Sequence, residues 1–159
     1  MSAAQTLYSF GKLGEPFADI RKGSLFNGYY FHTFSFKWFI KRVDSIFKAN
    51  PDKHIMSVSQ NDGNYTNCTC DACKAIDDYE GALSGSIITF LNKLAARFPD
   101  KEFSTLAYLY TMNPPKHVKP LPNVNIMLCD IDCDREVTLT ENASGKEFVK
   151  AMEGWSKIT

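Results

Sequence analysis

The chain has 159 residues, 44% hydrophobic and 13% aromatic, enough to bury a core of one ordinary domain and too apolar for a disordered one. Lys plus Arg and Asp plus Glu both number 18, so net charge gives no general pull toward nucleic acid or an anionic membrane. No apolar run nears the roughly 20 residues of a membrane-spanning helix, and Met1-Ser2-Ala3-Ala4-Gln5 shows neither the basic nor the apolar region of a signal peptide.

In chain order, residues 1–23 carry Gly11, Gly14, Pro16 and Gly23 as breakers, and no element is predicted there. The domain is expected over 24–159. Leu25 to Phe36 is dense in aromatics (Phe26, Tyr29, Tyr30, Phe31, Phe34, Phe36) and predicts a buried strand. Phe36, Phe39, Ile40, Val43 and Phe47 then fall at helical spacing, and Asn50-Pro51 stops the run. His54 to Ser59 reads as a short strand, and Gln60 to Cys73 as a polar loop. Leu83, Ile87, Phe90, Leu91, Leu94 and Phe98 mark a second amphipathic helix closed by Pro99. Glu102 to Tyr110 and Val124 to Leu128 read as strands, separated by a proline-rich link near the minimum length for a parallel crossover. That link leaves an antiparallel pair open. Asp130 to Ser144 is polar, and Phe148, Met152 and Trp155 predict a closing helix.

This alternation of strands and helices predicts an α/β fold with a largely parallel sheet. Working residues in such folds collect at the C-terminal ends of the strands. Gln60, Asn61 and Asp62 follow one strand. Tyr108, Tyr110 and Thr111 end another. Cys129, Asp130, Asp132 and Asp134 follow a third, and His32 follows the early aromatic segment. Two carboxylates on one rim suit general acid and base work, and Asp62 with Asp132 is the favoured pair. The plain alternative for Asp62-Gly63 is a turn, and for Asp130, Asp132 and Asp134 a solvated acidic loop. His32, Asn61, Tyr108, Tyr110 and Asp130 are the candidate substrate contacts. Tyr108 and Tyr110 share one face if the strand continues, and their rings could stack on a sugar or pack in the core.

Five cysteines are present, an odd number that cannot form a fully paired disulfide framework. Cys68, Cys70 and Cys73 cluster in the polar loop. With Cys129 or Cys133 they could bind zinc in a four-thiolate site, form a disulfide between adjacent loops, or remain free thiols. No other cofactor is expected.

Several ordered motifs carry a family resemblance. They are Ser57-Val58-Ser59-Gln60-Asn61-Asp62-Gly63 with Cys68-Thr69-Cys70-Asp71-Ala72-Cys73, and Leu106-Ala107-Tyr108 with Tyr110-Thr111 and Pro114-Pro115. Leu128-Cys129-Asp130-Ile131-Asp132-Cys133 and Gly154-Trp155-Ser156-Lys157 follow. Over about residues 28–159 the chain resembles a domain family from large secreted proteins of polysaccharide-degrading bacteria. That family is similar to α-glucuronidase-like and hexosaminidase-like glycoside hydrolases. The resemblance implies a partial (β/α) barrel of the TIM type, mostly parallel strands with helices outside, and a carbohydrate partner. It also implies a periplasmic or secreted location.

Where the family more often has Glu, this chain has Asp132, a shorter carboxylate whose displacement matters for catalysis. Gly28 to Phe34 resembles the family's His-Thr-Phe segment, but Phe34 runs almost directly into the first helix, as though an internal piece were missing. A barrel of typical length, around 250 residues, does not fit, so open sheet edges and self-association are expected.

Overall fold

The computed structural model describes residues 33–60, 62–64 and 66–159. Residues 1–23, most of the predicted Leu25–Phe36 strand, and the candidate residues His32 and Asn61 lie outside the described residues.

Among the described residues, four helices and three strands follow in order: α1 (Thr33–Ala49), β1 (Ile55–Ser57), α2 (Asp71–Glu80), α3 (Ser84–Ala95), β2 (Glu102–Ala107), β3 (Val124–Leu128) and α4 (Ala143–Ser156). A 3-10 turn, Leu109–Thr111, follows β2. Residues 33–36, predicted as the end of a strand, are the first turn of α1. The fold is mixed α/β. Its sheet has the order β1-β2-β3, and both neighbouring pairs run parallel.

Burial along the strands explains how the sheet packs. Phe103, Thr105 and Ala107 alternate as the buried side of β2, continued by Met56 on β1 and Val124 on β3. Val43 and Phe47 of α1 and Ile87, Phe90, Leu91 and Leu94 of α3 join Met56, Phe103, Ala107 and Val124 in one core. Phe103 sits between Phe47 and Phe98, with ring centroids 6.1 and 6.0 Å away. The other side of the sheet carries Ile55, Ser57, Glu102, Ser104, Leu106, Asn125 and Met127, placed together by the strand register. Ile55 and Met127 are 55% and 56% exposed there, so the sheet is covered on one face only among the described residues.

The link from β2 to β3 has no α-helix, yet the strands it joins are parallel, which removes the antiparallel alternative. A coil crossing a domain leaves backbone groups that need partners. Side chains from the helices supply them. Glu80 accepts from the N–H groups of His117 and Val118 at 2.7 and 3.0 Å. Ser84 donates to the Asn113 carbonyl, and Asn92 holds both the Lys119 carbonyl and the Leu121 N–H. Asn123 donates to the carbonyls of Ala95, Phe98 and Lys101, tying the end of the link to the end of α3. Trp155 of α4 is buried, and its indole N–H donates to the Met112 carbonyl at 2.7 Å. Met152, one of the apolar residues that predicted this helix, is exposed, and Ala151 takes the buried position.

Helix α2 falls partly within the predicted loop. Its buried residues are Cys73, Asp77 and Glu80, spaced as one helical face but mostly polar. An apolar periodicity therefore does not reveal it. The stop signal is readable: Gly81 follows in the left-handed conformation, φ 67°, which glycine adopts without a Cβ penalty.

Asp77 caps the next helix. Its carboxylate accepts from the Ser86 backbone N–H at 2.8 Å and the Ser86 hydroxyl at 3.2 Å, in the first turn of α3. Burial pushes the Asp77 carboxyl above its usual range, against the lowering effect of the Ser86 bonds. A raised carboxyl favours the protonated folded state. Its contribution is therefore fully present below the unfolded value and is lost as pH rises through the folded one. Asp77→Ala is expected to cost about 1–2 kcal/mol through the lost cap. Asp77→Asn keeps an acceptor for Ser86 and should match or exceed the native stability at pH 7, with the advantage shrinking toward pH 4. Urea unfolding of both variants across that range is the measurement, and equal losses for Ala and Asn would contradict it.

Candidate functional site at the strand ends

Because all three strands are parallel, their C-terminal ends meet at one rim. Pairing continues a residue further: Val58 N–H donates to the Ser104 carbonyl and Cys129 N–H to the Ala107 carbonyl. The Gln60–Asp62 stretch and the Cys129–Cys133 stretch thus emerge on the same side of the molecule, flanking Tyr108.

Asp62 has two partners among the described residues. Its Oδ1 accepts from the Gly63 N–H at 2.9 Å, which is the local turn expected of Asp-Gly, and from the Tyr108 hydroxyl at 3.0 Å. Gly63 has φ 98°, so the turn needs glycine there. The Asp62 hydrogen bond is the main cause that raises the Tyr108 phenol above its usual range, with burial and then the charges of Asp62, Asp132 and Cys129 adding to it. Tyr108 stays a neutral hydrogen-bond donor well into the alkaline range.

Gln60 and Thr111 hold this arrangement from below. Buried Gln60 donates through Nε2 to the Tyr108 carbonyl at 3.0 Å and to the Thr111 Oγ1 at 2.7 Å. Thr111 Oγ1 also accepts from the Tyr108 N–H at 3.0 Å. Leu109, between them, has φ 49°, the left-handed region that a branched side chain enters only against strain. The sequence places Gln60 and Thr111 near the rim but carries no local sign of this clamp. Its partners are far apart along the chain.

The other predicted residues separate. Strand β2 stops at Ala107, so alternation does not carry Tyr108 and Tyr110 onto one face. Tyr110 packs against the hydrophobic core. Burial raises its phenol, partly offset by a side-chain hydrogen bond with Thr66. Asp130 is exposed and pairs with Arg135 at 3.3 Å. Asp134 accepts from the Glu136 N–H, a local turn contact.

The cysteines fall into two groups. The sulfurs of Cys68, Cys70 and Cys73 lie within 4.8 Å of one another. Cys129 and Cys133 stand apart from that cluster, so a four-thiolate combination, one of the three alternatives, is not assembled among the described residues. All five are free thiols rather than disulfides. Burial raises the Cys68, Cys73 and Cys129 thiols, whereas the backbone N–H of Cys73 lowers Cys70.

A family model described as a domain of unknown function, DUF4838, matches residues 32–159. The chain belongs to the DUF4838 family. No curated protein matches it, and no solved structure does. The match takes in every element of this DUF4838 domain from α1 to α4, including the rim around Tyr108. No helix among the described residues is long and apolar enough to cross a membrane.

Proposed function

We propose that this DUF4838 domain is a segment of a glycoside-hydrolase-like (β/α) barrel whose rim takes a glycan, with Asp62 and Asp132 as the carboxylate pair. The observation that carries the reading is the Tyr108–Asp62 hydrogen bond between the segments that follow two parallel strands, with the Asp132 stretch leaving the third strand on the same side. These groups follow the ends of three parallel strands, where barrel enzymes keep their chemistry.

The sheet supports the barrel. Its strands follow chain order, and the helices named in the core pack on the Phe103 side. A doubly wound sheet would reverse its strand order and carry helices on both faces. In a barrel the side bearing Ser104, Leu106, Asn125 and Met127 turns inward, and β1 and β3 each pair with a further strand. The same reading expects the chain to associate through those two edges. Light scattering that shows a stable monomer would oppose that part of it.

In this assignment Asp62 and Asp132 flank the glycosidic oxygen, one as acid and the other as base or nucleophile, and Tyr108 orients the sugar. Asp62→Asn and Asp132→Asn are each expected to lower turnover at least about 100-fold. The assay is release from a panel of uronic-acid and N-acetylhexosamine glycosides. Unchanged turnover in both variants would remove the pair from the mechanism. One observation favours a second reading, a carbohydrate-binding domain without hydrolysis: both aspartates are exposed, whereas a general acid is usually kept protonated by burial. That reading expects glycan binding, followed by calorimetry, to survive loss of both aspartates and to fall with Tyr108→Ala, since Tyr110 packs into the core and only Tyr108 stands at the rim.

A further inference from the structure

The three clustered thiols belong to none of the sugar chemistry above. Cys68 closes the loop that begins at Asp62 and Gly63. Cys70 occupies the position just before α2, and Cys73 lies in that helix's first turn. Cys68 and Cys73 are buried, 4% and 0% exposed, and Cys70 is the more open member. Cys68 Sγ and Cys70 Sγ are 3.4 Å apart, and all three sulfurs fit within 4.8 Å.

Those separations suit one chemistry best. Zinc holds thiolates at about 2.3 Å in a tetrahedron, which sets the sulfurs roughly 3.8 Å apart. The trio spans that value, so side-chain adjustments of well under a residue's length bring it onto three corners. A disulfide needs sulfurs about 2.05 Å apart and joins two cysteines only, leaving one thiol of the three unused. The N-terminus of α2 adds the positive end of its dipole beside the sulfurs, which favours negative charge there.

We propose that Cys68, Cys70 and Cys73 form a zinc site that fastens the Asp62 loop to the start of α2. Binding forms three Zn–S bonds and releases three thiol protons to solvent, which makes affinity fall with acidification. The fourth position is taken by water or by a ligand outside the trio. Zinc here is a structural clasp: it fixes the segment between β1 and α2 whose first residues reach Tyr108.

The test uses the reduced, metal-free chain, titrated with zinc against a chromophoric chelator and with cobalt(II) followed by absorbance. One equivalent of zinc per chain and a thiolate-to-cobalt charge-transfer band are expected. Cys70→Ser, at the more open position, should keep the native circular dichroism and bind zinc more than about 100-fold more weakly. Cys129→Ser and Cys133→Ser should leave zinc affinity unchanged. Absence of the cobalt band would overturn the proposal. So would undiminished binding by Cys70→Ser, or a Cys68–Cys70 disulfide found by mass spectrometry in freshly thiol-trapped protein. None of these outcomes bears on Asp62 or Asp132 as carboxylates.

Discussion

Phe103→Ala is expected to lower the unfolding free energy by about 3–5 kcal/mol. The ring is fully buried at the centre of β2, against Phe47 of α1 and against Phe98 in the turn after α3. Removing it leaves a void bordered by two other rings and a strand backbone, none of which can collapse inward without breaking the sheet register. Total stabilities of single domains run to about 5–15 kcal/mol, so the variant forfeits about a fifth or more of the total. Phe103→Leu keeps most of the volume and should cost clearly less. Equilibrium urea unfolding measures both. A loss below about 1 kcal/mol for the alanine variant would mean that Phe103 is not the centre of the core.

Gln60→Glu is expected to destabilise the chain by about 3 kcal/mol or more at pH 7, although it changes a single atom pair. The Gln60 amide donates twice, to the Tyr108 carbonyl and to Thr111. A carboxylate donates to neither, faces a carbonyl oxygen, and carries a charge into a site that is 8% exposed. Its folded pKa would stand above its unfolded one, so the deficit should shrink as pH falls through the folded value. Recovery stays partial, because a neutral carboxyl restores one donor and not two. Gln60→Leu removes the donors without adding charge and should show a smaller loss with no such pH dependence. Urea unfolding of the three proteins between pH 4 and 8 reads this directly. Native stability in Gln60→Glu at pH 7 would dissolve the clamp.

The first experiment probes the core and the second the rim built on it, and the two differ in how far the sequence made them readable. Val43 and Phe47 in α1, and Ile87, Leu91 and Leu94 in α3, recur at the helical period because each helix presents one apolar stripe to the sheet. Phe103 and Ala107 alternate with half-buried Ser104 and Leu106, so β2 was legible up to Ala107. Beyond that the pattern misleads. Tyr108 and Tyr110 keep a strand-like spacing, but Leu109 turns left-handed and Thr111 is drawn to Gln60, 51 positions away in sequence. Helix α2 escapes for a different reason: its inward face is Cys73, Asp77 and Glu80, whose burial rests on hydrogen bonds and sulfur packing instead of hydrocarbon.

Composition, apolar periodicity and strand-end placement were local properties, and they established an α/β domain with Asp62, Tyr108 and Asp132 near strand ends. The direction of β3 and the contact between Tyr108 and Asp62 were not local. They depend on a helix-free crossover held by Glu80, Ser84, Asn92, Asn123 and Trp155, each bonding backbone at least 22 residues away. Such bonds leave no period in the sequence, since a polar side chain on a helix looks the same whether it faces water or a distant carbonyl.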